Sequence, residues 1–97
     1  WPDAVFFVFG HLGDGNLHLS ISAGPADGSA RPAIEQLVYA PLGPLQGSIS
    51  GEHGIGLEKK PYLSLCRSPD EIEVMKLLKR SLDPGNILNR GKIFDLP

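Results

Sequence analysis

The strongest constraint in this sequence is a pair of apolar runs, residues 5–9 and 17–21, that flank the dipeptide Asp14-Gly15. An Asp-Gly pair between two such runs is typical of a β-hairpin with a two-residue turn. With this dipeptide as the turn, His11 stands directly opposite His18, and the Cβ atoms of directly opposed residues lie roughly 4.5 to 5.5 Å apart. The pattern therefore predicts two imidazoles that are close enough to bind one metal ion.

The same pairing divides the hairpin into two faces. One face is wholly apolar and is expected to pack on a core: Phe6, Val8, Leu12, Leu17, Leu19 and Ile21. The other face includes the polar side chains of a site: Phe7, Phe9, His11, Asn16, His18 and Ser20. Histidines on strands are commonly structural, hydrogen-bonded residues, and this interpretation stands beside the metal or catalytic one, since histidine is also the commonest protein metal ligand.

The composition is that of one modest globular domain, with 97 residues, 41% hydrophobic and 21% charged. No apolar run is long enough for a transmembrane helix. A formal net charge of −2, with dispersed basic residues, argues against a nucleic-acid partner. The single cysteine, Cys66, cannot form an intramolecular disulfide, which fits a reducing compartment, and we expect a cytoplasmic protein.

The chain begins at Trp1 and enters the first apolar run almost at once, so we expect a piece of a longer protein. A strand that starts at a terminus leaves an unpaired edge or an apolar patch. Such surfaces recruit other chains. We therefore expect a homo-oligomer.

Apolar residues at helical spacing follow the hairpin: Ile34, Leu37, Val38, Pro41, Leu42 and Leu45. Because interior prolines disrupt helices, we expect the first helix to end near Tyr39 or Ala40, with a kinked second piece to Gln46. This helix is expected to cover Leu12, Leu17 and Leu19. Residues 48–50 are compatible with a small strand.

A second helix is predicted from Ser68 to about Leu82. Ser68 is suited to the N-cap, Pro69 to the first helical position and Glu71 to a capping box. The apolar stripe of Ile72, Met75, Leu78 and Leu82 is expected to face the core. Residues 83–85, Asp-Pro-Gly, end the helix, with Gly85 as a left-handed residue. The fold class is therefore α+β, with a small antiparallel sheet covered by two or three helices.

Between the helices, residues 51–56 place Glu52 and His53 among three glycines. Glycine at this density indicates unusual φ angles or close approach of the backbone to another group. A functional loop is the favoured interpretation, and an ordinary surface turn with two solvated charges is the alternative.

Three stretches, taken in order, resemble a known family. They are His11-x-Gly13-Asp14-Gly15-Asn16-x-His18, then Gly51-Glu52-His53-Gly54-Ile55-Gly56, and then Leu82-Asp83-Pro84 through Asn89-x-Gly91-Lys92-Ile93. Together they resemble the C-terminal part of the FAD-linked oxidases, a family of D-lactate, D-2-hydroxyglutarate and glycolate dehydrogenases with a vanillyl-alcohol-oxidase-like flavin domain. One departure is Arg90, where the family pattern usually has proline. It affects the docking of the tail, the segment from residue 86 to the end of the chain, rather than any chemistry.

The resemblance implies that a larger N-terminal domain binds FAD, and that residues 1–97 are the last portion of a cap domain that presents a small 2-hydroxy acid. It implies that His11, His18 and Glu52 bind one divalent metal, with zinc expected first and manganese or iron also accepted by such ligands. His53 is then the general base. Asn16 is expected to contact the substrate or to support a metal ligand, and a turn residue is the alternative. Lys59 is expected to help hold the substrate carboxylate, and a solvated lysine is the alternative.

Two other interpretations remain open at this point. One is a stand-alone metal hydrolase in which the same three ligands activate water, and the other is a non-catalytic folded fragment. On the favoured interpretation, the full-length protein is an enzyme and the isolated 97-residue chain is inactive. The residues do not distinguish a flavoprotein, a quinone or a cytochrome as the electron acceptor, and they do not name the 2-hydroxy acid.

Overall fold

The computed structural model describes residues 1–97 and shows an α+β architecture, as predicted. In chain order, the regular elements are strand β1 (Val5–His11), strand β2 (Asn16–Ser22), helix α1 (Arg31–Tyr39) and helix α2 (Pro69–Leu82). Short 3₁₀ turns occupy Leu12–Asp14, Ala40–Leu42 and Lys60–Leu65. The chain forms two compact units, a hairpin unit (Trp1–Val38) and a helical unit (Tyr39–Pro97). No helix combines the length and the apolar character needed to cross a bilayer.

The hairpin forms as predicted, but its register differs from the prediction by two residues. His11 lies opposite Asn16, and His18 lies opposite Phe9. The connection is a four-residue loop rather than a two-residue turn, because a 3₁₀ turn precedes Gly15, which has a φ of 65° and donates its N–H to the Leu12 carbonyl at 3.1 Å. The predicted direct opposition of His11 and His18 is therefore wrong.

A two-residue change of register leaves the two faces of the sheet intact, because side chains alternate with a period of two. His11 and His18 consequently still share one face, together with Asn16 and Phe9. Only Leu12, now in the loop, leaves the face on which it was predicted.

Both faces of the hairpin are exposed within this chain. Leu12 is 88% exposed, Leu17 62% and Leu19 45%. The prediction that the helix following the hairpin covers these three leucines is wrong. Helical periodicity identified α1 correctly, but periodicity marks an apolar face without identifying the surface on which that face packs.

Helix α1 ends at Tyr39, as the prolines predicted, and a 3₁₀ turn and further turns lead to Gln46. The amide of Gly47 then donates to the Leu42 carbonyl at 2.8 Å. Residues 48–50 form no strand, which corrects the earlier expectation. Ile49 is instead one of the few buried side chains, at 4% exposure.

Helix α2 begins with the predicted capping box. The Ser68 hydroxyl accepts the Glu71 amide, and the Glu71 carboxylate accepts the Ser68 amide at 2.7 Å. Hydrogen bonding of the Glu71 carboxylate to the Ser68 backbone, and then to its side chain, lowers the pKa of Glu71. The sequence therefore determines the start of this helix locally.

The inward face of α2 departs from the predicted stripe. Ile72 and Met75 are half-buried as expected, but Leu78 and Leu82 are exposed. Lys79 is half-buried instead, because its ammonium bonds the Leu88 carbonyl and forms an ion pair with Asp83. The left-handed residue after the helix is Asn86, with a φ of 47°, and not Gly85. Asparagine tolerates this region better than most residues.

The apolar core of the chain is small. Its buried members are Ala30 in the hairpin unit and Ile49 and Leu63 in the helical unit. The rings of Tyr39 and Tyr62 pack beside one another in the helical unit, with centroids 4.9 Å apart.

Candidate active site

The end of the hairpin is shaped by Gly10. Its φ is 155°, and a Cβ at this position would lie 2.1 Å from the backbone oxygen of Asn16. No side chain fits at that distance, so a bare backbone is required where the two strands approach. The close approach places His11 opposite Asn16 at the mouth of the loop.

His18 is held on the same face by an aromatic neighbour. The rings of Phe9 and His18 lie opposite each other on the two strands and stack with centroids 5.2 Å apart and planes 10° from parallel. His18 is half-buried. The Phe9 ring therefore restricts the plane in which the imidazole can present its nitrogens.

His11 and His18 are diagonal neighbours across the ladder. Diagonal residues on one face have Cα atoms about 7 to 8 Å apart, with their Cβ atoms somewhat closer. Two long imidazole side chains can converge from this spacing on one ion that binds each nitrogen at about 2.0 to 2.1 Å. Asn16, beside His11 on this face, is half-buried with its side-chain oxygen shielded from solvent.

The helical unit contains the acid and histidine of the glycine-rich loop. The Glu52 carboxylate lies 3.9 Å from the imidazole Nε2 of His53, and the two side chains are 42% and 77% exposed. Gly54 and Gly56 both occupy the left-handed region, with φ values of 77° and 58°. The loop therefore presents both side chains outward on a backbone that only glycine adopts readily.

The tail beyond α2 is organised by Asp83. Its carboxylate accepts the amides of Ile87 at 3.0 Å and Leu88 at 2.9 Å and pairs with the Lys79 ammonium. The Lys79 bond, followed by that from Ile87, lowers the pKa of Asp83 to about 2. The carboxylate is consequently ionised wherever the chain is folded near neutral pH.

The sequence matches the family described as "FAD linked oxidases, C-terminal domain" over residues 3–93. The chain belongs to this family. It is 43% identical over 99 residues to a D-2-hydroxyglutarate dehydrogenase of Stutzerimonas stutzeri, an alignment that covers 97% of this chain and 21% of the relative. The mitochondrial D-2-hydroxyglutarate dehydrogenase of Bos taurus is 42% identical over 96% of the chain and 17% of the relative.

A third relative is named for a different activity. The glycolate oxidase subunit GlcD of Bacillus subtilis is 40% identical over 95% of this chain and 20% of its own length. The FAD-linked oxidase C-terminal domain described here thus spans about a fifth of the length of such relatives. Family membership confirms the resemblance seen in the three sequence stretches and supports the flavoenzyme interpretation over the metal hydrolase.

The donor set of this C-terminal domain is of the kind that a divalent ion accepts. His11 and His18 supply two imidazoles on one face of the hairpin unit, and Glu52 supplies a carboxylate in the helical unit. Imidazole and carboxylate ligands suit zinc, manganese and iron. Neither unit by itself brings three His, Cys, Asp or Glu side chains together as a metal-binding group.

Sequence reasoning missed the residues that secure the tail of the domain. The Lys60 ammonium donates to the Gly91 carbonyl at 2.8 Å and to the Asp95 carboxylate at 2.7 Å. The Ile93 amide donates to the Gly56 carbonyl at 2.8 Å. The partners of Lys60 are 31 and 35 positions away, and no local pattern encodes such pairings. Lys59, the predicted substrate contact, is half-buried next to Lys60, and its backbone amide donates to the Ile55 carbonyl.

Proposed function

We propose that this chain is the C-terminal, substrate-facing part of an FAD-dependent oxidoreductase that oxidises a D-2-hydroxy acid. The observation that supports it most directly is the placement of His11 and His18 on one face of the hairpin, in a domain of the FAD-linked oxidase family. The relatives are named for D-2-hydroxyglutarate, D-lactate and glycolate. These compounds define the substrate class.

His11, His18 and Glu52 are the proposed ligands of one divalent ion, zinc in the first instance. When bound, the ion would polarise the substrate hydroxyl, and FAD, held by the domain that this chain does not contain, would accept the hydride from C2. The chain's own contribution is positional. The close approach of the strands at Gly10 sets the position of His11, and the Phe9 ring restricts the plane in which His18 presents its nitrogens.

His53 is the proposed general base. Its imidazole is 77% exposed and lies next to Glu52 in the backbone, so it can receive the proton of the substrate hydroxyl at Nε2 without serving as a ligand. A general base must reach within hydrogen-bond distance of the proton that it abstracts. Because His53 is exposed on a glycine-rich loop, a substrate in solvent can approach its imidazole.

Asn16 and Lys59 are proposed to bind the substrate. Asn16 lies opposite His11 on the face that holds both histidines, so its amide is placed to orient an oxygen atom of a 2-hydroxy acid. Lys59, three positions after Gly56, supplies a cation for the carboxylate. An ammonium paired with a carboxylate forms a short, charge-assisted hydrogen bond.

The test is substrate-dependent flavin reduction in the full-length protein. D-2-hydroxyglutarate, D-lactate and glycolate are each added anaerobically to wild type and to His18→Ala, and the loss of flavin absorbance is followed. We expect reduction by at least one D-2-hydroxy acid, with bound metal and reduction both lost in His18→Ala. A full-length protein that contains no flavin, or equal metal content in both proteins, would overturn the proposal.

A further inference from the structure

Three hydrogen bonds, here called the tail clamp, join the tail to Gly56 at the end of the glycine-rich loop and to Lys60 just beyond it. The Ile93 amide donates to the Gly56 carbonyl at 2.8 Å, and the Lys60 ammonium donates to the Gly91 carbonyl at 2.8 Å and to Asp95 at 2.7 Å. The lysine side chain is 24% exposed, and its bond to a carboxylate is charge-assisted, the stronger class of hydrogen bond. The clamp therefore connects the last residues of the chain to the end of the loop.

The backbone at Ile93 is in a conformation that its side chain disfavours. Its φ is 70°, in the left-handed region, where a β-branched residue is a genuine outlier. Such conformations persist only where the surrounding structure enforces them, and they cluster at functional sites. Here the strained residue is the one that bonds to Gly56, so the strain is located where the tail meets the loop.

The loop is also held by residues on either side of it. On its N-terminal side Ile49 is buried, at 4% exposure, and near its C-terminal end the Ile55 carbonyl accepts the Lys59 amide at 3.2 Å. Glu52 and His53 are exposed, and a Cβ added at Gly54 or Gly56 would meet nothing within 4 Å. The loop thus lies between a buried side chain on one side and the tail clamp on the other.

From these contacts we infer that Lys60 and Ile93 are positioning residues, which fix the Glu52–His53 loop by securing Gly56 to the tail. The inference rests on the proposed function, because it assigns to that loop a metal ligand and a general base. Their role is to hold the backbone rather than to bind the substrate. Release of the clamp removes the bond to Gly56 and widens the range of positions that the loop backbone at Glu52 and His53 can adopt.

Lys76 provides a matched control for Lys60. Its side chain is also 24% exposed, and it forms an ion pair of nearly equal length, 2.8 Å, with Glu73. That pair lies within α2 and makes no link to the loop. The variants are therefore Lys60→Met, Lys60→Arg and Lys76→Met in the full-length protein, with Asp95→Asn as a second way to weaken the clamp.

Two readouts are measured on each variant. The first is hydrogen exchange of the Ile93 and Lys59 amides, which report the clamp and the adjoining loop directly, with the Met75 amide in α2 as reference. The second is zinc affinity of the metal-free protein by competition with a chromophoric chelator. In Lys60→Met we expect faster exchange at Ile93 and Lys59 and an affinity about 10-fold weaker, the lower end of what loss of a supporting residue costs a metal site.

Lys60→Arg should restore both readouts in large part, and Asp95→Asn should give an intermediate result. Lys76→Met should leave both at wild-type values even where it lowers the melting temperature. Unchanged exchange at Ile93 in Lys60→Met, or equal effects of Lys60→Met and Lys76→Met, would overturn the inference. If wild type itself binds no zinc, the proposed function fails, and the exchange measurement still decides whether the clamp holds the loop.

Discussion

Phe9 lies directly opposite His18 in the hairpin, and their rings stack with centroids 5.2 Å apart. This pairing occupies the position that a two-residue turn would have given to His11. The first of the two proposed histidine ligands is therefore a diagonal neighbour of the second, and an aromatic ring supports the second from across the ladder.

Replacement of Phe9 by leucine should weaken metal binding without unfolding the chain. Leucine keeps an apolar side chain but removes the flat surface that orients the imidazole, so we expect metal affinity to fall about 10-fold, the lower end of the cost of losing a partner that orients a ligand. Phe7→Leu is the control, since Phe7 shares that face, is similarly exposed and lies opposite Ser20. Zinc titration of both full-length variants checks the prediction, and an equal loss in both would contradict it.

Gly10→Ala should disrupt the mouth of the hairpin. The new Cβ would clash with the Asn16 backbone oxygen, 2.1 Å away, and overpacking of this kind costs about 1 to 3 kcal/mol. Gly13→Ala is the control, because a Cβ there meets nothing within 4 Å. Thermal unfolding should show a lower midpoint for Gly10→Ala alone. A midpoint equal to that of Gly13→Ala would mean that the strands do not approach as described.

The bonds of Asp83 should make the tail pH-dependent. Its pKa falls from 3.8 to about 2 in the folded chain. A carboxyl group with a lowered pKa stabilises the folded state at pH values above its unfolded-state pKa, and this stabilisation is lost as the pH falls through its folded-state pKa. Protection of the Ile87 and Leu88 amides from hydrogen exchange should therefore persist at about pH 5 and disappear towards about pH 2. In Asp83→Asn it should be low throughout, whereas Asp3→Asn should behave as wild type.

The exposed hairpin should drive self-association of residues 1–97. Both strands have an unpaired outer edge, and Phe6 is 64% exposed, a combination that recruits other chains. This is the predicted homo-oligomer in its simplest form. Light scattering should show a dimer or larger species that Phe6→Lys reduces. Leu57→Lys, at a position 62% exposed in the helical unit, is the control, and a strict monomer at high concentration would refute the prediction.

Features encoded by neighbouring residues were predictable from the sequence. The capping box of α2 depends on Ser68 and Glu71, three positions apart, and the end of α1 depends on the prolines that follow. The hairpin was also predictable as an element. Its register was not, because the choice between a two-residue and a four-residue loop depends on how Leu12 and Gly15 bond to each other.

The missed features depend on distant residues. Lys60 forms hydrogen bonds with Gly91 and Asp95, more than thirty positions away in sequence. The burial of the Lys79 side chain depends on its bonds to Asp83, at the end of α2, and to Leu88, in the tail. Periodicity assigned Leu78 and Leu82 to the core because it weighs hydrophobicity alone. In the structure these two leucines are exposed, and the half-buried side chain is that of Lys79, paired with Asp83.

The most direct test of the account separates the proposed ligand from the proposed base in the full-length protein. Metal content and D-2-hydroxy acid oxidation are measured in His11→Ala and His53→Ala. His11→Ala should lose the metal and the activity together, because loss of a ligand opens the coordination shell. His53→Ala should retain the metal while its turnover falls by about 10² to 10⁴-fold, the usual contribution of a positioned general base. Loss of metal from His53→Ala with retention in His11→Ala, or undiminished oxidation in both, would contradict the account.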